Sequence, residues 1–359
     1  MAEGPMSVGG QAILEGVMMR SPGSFAIAVR RATGEIVVKE DAWQSIWEKA
    51  RFLRKPFLRG AVVLFESLYN GVSALSFSAN EAARFEPGAD GEVVEAEGEM
   101  SSWAIGGAIA MAMVFGFALF AALPHFITWL AGVTTGNASL ASGKDLGFQL
   151  VDGVIKIGVL VGYLWLISRM SDIKRVFQYH GAEHKSIFCF ESGQDLTVEN
   201  ARRFPRLHPR CGTSFLLITV VVSILLFSAV FPLMPEISSI RWLNQLAYVF
   251  IKVPLMFPVA GIAYEMTRLS ARHPNHPVVR AFTWPGLMLQ HITTREPDDS
   301  QLEIALVALQ KCLWREAQPN DQKRVAGTAP AEPDVFGSYE DFQSALGASS
   351  SASLAEAAA

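Results

Sequence analysis

Charge is what this chain has little of. Only 18% of its 359 residues are Asp, Glu, Lys or Arg, whereas soluble domains carry about 25%. Half of the residues are hydrophobic, so a wholly soluble globular protein is excluded as the simplest reading. Paired cysteines are missing as well. Cys189, Cys211 and Cys312 are odd in number and widely spaced, which excludes a disulfide framework and fits a reducing compartment. Residues 1–11 are polar and glycine-rich, without the basic start and apolar run of a signal peptide, so membrane entry is expected through internal segments. There is no G-x-S-x-G elbow, and Gly9-Gly10 precedes a strand-like stretch rather than a helix, which excludes a phosphate-binding loop there. No internal repeat is visible, and no basic run gives a specific nucleic-acid signal.

What is present is a set of long apolar runs. Residues 103–123 and 212–234 carry no charge at all, and each is long enough to span a bilayer. Residues 146–170 form a second span despite Asp152 and Lys156. Residues 243–263 form the fourth, with Lys252 near its middle and Pro254 and Pro258 as expected kink points. Arg and Lys crowd the segment before the first span, the loop 171–211 and the segment after the fourth span. The other two loops hold one basic residue each, Lys144 and Arg241. The positive-inside rule therefore predicts a multi-pass cell-membrane protein, bacterial inner or plasma membrane, with both termini and the long loop cytoplasmic. The expected fold is mainly α-helical and polytopic, with about four transmembrane helices.

The remaining segments divide by pattern. Residues 1–55 read as a small cytoplasmic β element, in which FAIAVRR and EIVVKE are joined by a turn at Ala32-Thr33-Gly34. Residues 56–80 are apolar at helical spacing but interrupted by Arg59 and Glu66. They read as an amphipathic or partly inserted helix, with a fifth span as the alternative. An acidic linker is expected at 81–101, the membrane domain at 102–264, and a cytoplasmic segment with an amphipathic helix at 265–316. The polar and finally Ala/Ser-rich stretch 317–359 reads as a disordered tail.

The loop 171–211 carries the chemistry. In Tyr179-His180-Gly181-Ala182-Glu183-His184-Lys185 the two histidines are four residues apart, so on a helix both imidazoles leave the same face, with Glu183 beside them. H-x-x-E-H is the spacing of the inverted zinc-protease signature. Two imidazoles suit a divalent metal, Zn²⁺ above all, with Glu183 as general base. A catalytic zinc takes three protein ligands and leaves one position open. The sequence offers two sources for the third: His208 or Cys211 just before the third span, or Glu265 just beyond the fourth. The competing reading is a hydrogen-bonded polar cluster that ties the loop to the membrane surface. A separate signal is the set of intramembrane charges: Asp152 and Lys156 are four apart and can pair, and Lys252 must pair or line a polar cavity.

The chain also resembles the DUF1385 family. The matching stretches are GGQAILEGVMMR (9–20), AVR (28–30), PFLRG (56–60), YHGAEHK (179–185), LTVENAR (196–202), HPRCGTSFL (208–216) and WPGLMLQHITTREPDDSQLEIAL (284–306). The resemblance implies a membrane-bound protein of a family described as predicted metal-dependent enzymes. It points to His180, Glu183, His184, His208 and Cys211, and draws in Gln11, Glu15 and Arg20, either packing on the cluster or closing the β element. The leading expectation is thus a membrane-embedded, hydrolase-like metal enzyme with a cytoplasmic-face site. Its alternatives are a non-catalytic scaffold that docks a membrane or cytoplasmic protein partner, and a small transporter that uses the intramembrane charges.

Overall fold

A computed structural model describes residues 8–43, 45–46, 50–87, 93–95, 102–273, 276–318 and 332–347. Strands β1 (Gly9–Ile13), β2 (Gly16–Arg20), β3 (Ser24–Arg30) and β4 (Ile36–Ala42) form an antiparallel meander. The turn between β3 and β4 uses Gly34 at φ +92°, a left-handed conformation that glycine adopts without strain. The expected two-stranded element is therefore half of a larger sheet: GGQAILEGVMMR supplies β1 and β2, a hairpin whose tight turn places Glu15 at φ 49°.

Helix α1 (Leu58–Ala83) follows, and then a two-stranded hairpin, β5 (Phe85–Pro87) with β6 (Val93–Glu95). Most of the rest of the expected acidic linker lies outside the described residues. Helix α2 (Ser102–Phe117) continues through a π turn (Ala118–Ala122) into α3 (Leu123–Thr135). The first apolar helix thus runs well past residue 123. Pro124 does not stop it: it sits in the first turn of α3, directly after the wider π turn, where a proline is tolerated. After a short α4 (Ala138–Ala141) come α5 (Leu146–Ile167), α6 (Ser171–Glu191), α7 (Val198–Arg202), α8 (Gly212–Val230), α9 (Arg241–Arg272), α10 (Pro277–Thr293) and α11 (Asp299–Ala317).

Among the described residues, five helical stretches are long and apolar enough to cross a membrane: Leu58–Ala83, Gly106–Thr135, Leu146–Ile167, Gly212–Leu233 and Arg241–Ser270. The count exceeds the expected four because α1 qualifies. Its interrupting charges are both paired, Arg59 with Glu265 and Glu66 with Arg20. Helix α8 packs against α9, with Ile218, Val222, Phe227, Tyr248 and Val259 between them, and α5 packs against α8.

The second core lies outside this bundle. Strand β2 alternates: Val17 and Met19 face α6 and α11, where they meet Tyr179, Leu302 and Leu306, whereas Met18 faces α1 and packs near Ala74. The sheet is therefore buried on both faces. Helix α11 opens with a capping box, Asp298 with Gln301, and its Leu302, Ile304, Ala305, Leu306, Val307, Ala308 and Leu309 are all fully buried.

The expected disordered tail needs a correction. Strand β7 (Asp334–Phe336) pairs with β4 as a fifth strand, and residues 339–347 are helical, with Phe342 buried in the sheet core. Two apolar side chains, Phe336 and Phe342, pack against the sheet core and dock this short segment once β4 offers an open edge. Residues 319–331 and 348–359 of that tail lie outside the described set.

Candidate metal centre

Helix α6 carries His180, Glu183 and His184 at the spacing expected. Cys211 arrives from the N-cap of α8, so a helix–helix junction completes the group. The ligand atoms of His180, His184 and Cys211 lie within 4.8 Å of one another. His180 Nε2 is 3.1 Å from Cys211 Sγ, and the two imidazole centroids are 4.5 Å apart.

The opposite edge of each imidazole is anchored. His180 Nδ1–H donates to the Thr293 carbonyl at 2.8 Å, and His184 Nδ1–H donates to the Arg206 carbonyl. A carbonyl only accepts, so Nδ1 is the protonated nitrogen in both rings and each Nε2 turns its lone pair toward the thiol. Backbone carbonyls orient metal-binding histidines in this way. The Nε2 of His184 is buried and makes no geometrically sound hydrogen bond. Burial also lowers the His184 pKa, which keeps the ring neutral and able to ligate. Two imidazoles and a thiol in this arrangement fit a borderline-soft divalent ion such as Zn²⁺. Cys211 Sγ also accepts from the Thr213 N–H at 3.4 Å, at a helix N-terminus that favours negative charge.

The other candidates fall elsewhere. His208 lies beside the group, its ring 5.6 Å from that of His184. Its Nδ1 accepts from the Arg210 N–H at 3.3 Å, so its Nε2 carries the proton and stands 3.6 Å from the Glu191 carboxylate. Burial pushes the His208 pKa down to about 4. Glu265 is not brought to the cluster: Arg59 holds its carboxylate in a two-point ion pair at the start of α1. Glu183 is buried behind His180, and burial raises its pKa while the Gly10 N–H that it accepts opposes the rise. A Cβ at Gly10 would come within 2.8 Å of the Glu183 side chain, so glycine is what lets β1 close over this carboxyl.

Of the N-terminal residues, Gln11 touches Gly71 of α1. Glu15 pairs with Arg175 at 2.5 Å, and Arg20 pairs with Glu66 at 3.2 Å while lying over the Trp43 ring. Glu15 and Arg20 bind the β element to its neighbours. In the apolar bundle, Asp152 Oδ2 takes Lys252 Nζ at 2.9 Å and Lys156 Nζ at 3.4 Å. His125 joins them, 3.2 Å from Lys252 Nζ and 2.9 Å from Gln245 Oε1. Reasoning from the sequence missed His125 because it ended the first span at residue 123.

Beside the three candidate ligands is a cavity of about 550 Å³, whose lining includes His180, Glu183, Cys211 and Gln11. Sequence reasoning also missed the supporting groups. Gln290 accepts from the His208 N–H and donates to the His208 carbonyl, both at 2.8 Å, and the 293–297 segment brings the Thr293 carbonyl to His180. The sequence signal for that approach is Gly181, where a Cβ would sit 2.1 Å from the Arg295 carbonyl oxygen.

With the site in view, comparison with known proteins adds its family. The profile of DUF1385, described as a protein of unknown function, matches residues 55–315. The chain belongs to this family. It is 34% identical over 322 residues to the uncharacterized protein YqhQ of Bacillus subtilis (strain 168), covering 87% of this chain and 94% of that protein. No solved structure matches it. The family profile includes the three candidate ligands, whereas β1–β4 precede it.

A substitution at Gly181 tests the anchoring. Gly181→Ala should displace the 293–297 segment and cost roughly 1–3 kcal/mol of stability. Chemical unfolding in detergent should show the loss; an unchanged unfolding curve would contradict the close approach.

Proposed function

We propose that this chain is a metal-dependent, hydrolase-like membrane protein whose ion is held by His180, His184 and Cys211 at the cytoplasmic membrane face. The observation that carries this reading is the matched pair of histidines, each with Nδ1 pinned to a carbonyl and Nε2 directed at one thiol. Three ligands leave a four-coordinate ion one open position, as in hydrolytic zinc sites and unlike closed structural ones. His208 is the nearest group able to close the shell, but its Nε2–H faces Glu191. That favours the enzyme over the scaffold alternative. An ion so held supplies Lewis-acid chemistry, polarising a carbonyl or phosphoryl oxygen. Glu183 takes the role of general base: its buried carboxyl lines the same cavity as His180 and Cys211.

The proposed topology has four crossings. Support comes from parity. Strands β1–β4, helix α6 and helix α11 share one core, so the chain must cross an even number of times between each pair of them. From β4 to α6 there are three candidate spans, and one of them does not cross. Helix α1 is that one: Gly60 abuts Gly261 at the end of α9, Glu66 pairs with Arg20, and Glu81 pairs with Arg31. Its first turns pack against α9, and from Glu66 to Glu81 it stays beside the sheet. The basic loops put this shared core in the cytoplasm.

Two measurements test these readings. Metal analysis of purified protein should find about one equivalent of zinc in the wild type, as expected for a single three-ligand site, and none in the His180→Ala, His184→Ala double variant. Equal and negligible metal in both would overturn the site. For topology, a membrane-impermeant thiol reagent applied to intact cells should label Glu236→Cys but reach Arg203→Cys only after lysis. Labelling of both from outside would refute the arrangement.

A further inference from the structure

Helix α1 is amphipathic in the reverse sense for a helix facing water. Its buried residues include Glu66, Asn70, Gly71, Ser78 and Glu81, whereas Leu58, Leu64, Phe65, Leu68 and Leu75 are exposed. Water would expel such a stripe, and the hydrocarbon edge of a bilayer accepts it. Such a pattern suits a helix at a membrane surface, with its polar side toward the sheet and its apolar side toward lipid.

The cavity at the candidate metal centre lies directly behind this helix. Val63 and Leu64 of α1, Phe177 of α6 and Phe215 of α8 give it apolar walls, and β1 roofs it at Gly10 and Ala12. Of its lining residues only Glu183 and Arg210 bear charge, and Arg210 is already paired with Glu191. His180, Cys211 and Glu183 form the polar end. The cavity stands level with the cytoplasmic ends of the bundle, since Thr213 and Phe215 open α8 and Tyr264 and Thr267 lie near the close of α9. Gln11, Ser67, Thr213, Tyr264 and Thr267 add neutral polar groups, but most of the exposed wall is apolar, so a hydrocarbon chain gains from it.

We infer that this cavity takes the hydrocarbon chain of a membrane amphiphile drawn from the cytoplasmic leaflet past α1, which sets the bond beside its polar head over His180 and Cys211. Leu64 lines the cavity and is also partly exposed on the outward face of α1, so it forms the lip between lipid and cavity. The assignment of this amphiphile as a substrate rests on the metal-centre reading, whereas the binding of its chain does not. The inferred ligand class is a lipid with an accessible ester or phosphoester near its head.

The test uses the full-length protein in detergent micelles, stripped of metal by a chelator, with a long-chain lysophospholipid that carries a diazirine within its acyl chain. After illumination, mass spectrometry should locate adducts on residues 58–83 and 171–191. Val63→Trp, which fills the cavity, should lower those adducts about tenfold, a change of about 1.4 kcal/mol in binding, and leave adducts on the lipid-facing part of α2 unchanged. Val63→Phe should give a graded loss and reads the same effect if the tryptophan variant does not fold. Unlabelled lysophospholipid should compete, and its chain-free head, glycerophosphocholine, should not. Adducts indifferent to both Val63 substitutions, or equal competition by glycerophosphocholine, would overturn the inference. The His180→Ala, His184→Ala variant separates the two readings: adducts retained there, together with a wild type that holds no metal, would leave the chain site standing and remove the metal centre alone.

Discussion

The arrangement depends on one packing contact: α11 wedged between the N-terminal sheet and α6. Its seven consecutive-to-near-consecutive buried residues, Leu302 and 304–309, touch strands from the start of the chain on one side and a helix from its middle on the other. Three segments separated by long apolar helices are thereby held on one side of whatever those helices cross. The same contact positions α6, whose buried face carries His184 and Glu183 toward Cys211 at the first turn of α8. The 293–297 segment leading into α11 supplies the carbonyl that fixes the His180 ring. Fold closure and ligand orientation thus share one cause.

Charge is handled differently in the two halves of the molecule. In the apolar bundle Asp152 is shared by Lys252 and Lys156, with His125 and Gln245 extending the network. The three buried charges Asp152, Lys156 and Lys252 are thus partnered, as low-dielectric surroundings demand. Around α6 the ion pairs, Glu15 with Arg175 and Lys185 with Glu296, lie outside the thiol–imidazole group, whose cavity is walled mainly by neutral side chains.

Much of this could be read from the residues in order, and the failures have definite causes. Uncharged runs revealed the spans, because length and apolarity are local properties. The i, i+4 spacing placed His180 and His184 on one helical face before any coordinates. What spacing cannot convey is which distant group meets that face. His208, Cys211 and Glu265 were all candidates for the third ligand. Glu265 goes instead to Arg59, a partner more than 200 positions away, which depends on how α1 docks against α9. Helix α1 was legible as amphipathic, but not as one with its polar side buried, because that requires knowing that a sheet covers it. Strand β7 was missed because a few apolar residues in a polar tail carry no periodic signal, and only the free edge of β4 gives the strand a place.

The central claim is that α6 and the start of α8 build a three-ligand metal centre. X-ray absorption at the zinc edge of the purified, zinc-loaded protein tests it most directly. The account predicts two nitrogen scatterers at about 2.0–2.1 Å and one sulfur at about 2.3 Å, with a fourth light ligand, and loss of the sulfur shell in Cys211→Ser. A spectrum without sulfur in the wild type, or a sulfur shell that persists in Cys211→Ser, would contradict it.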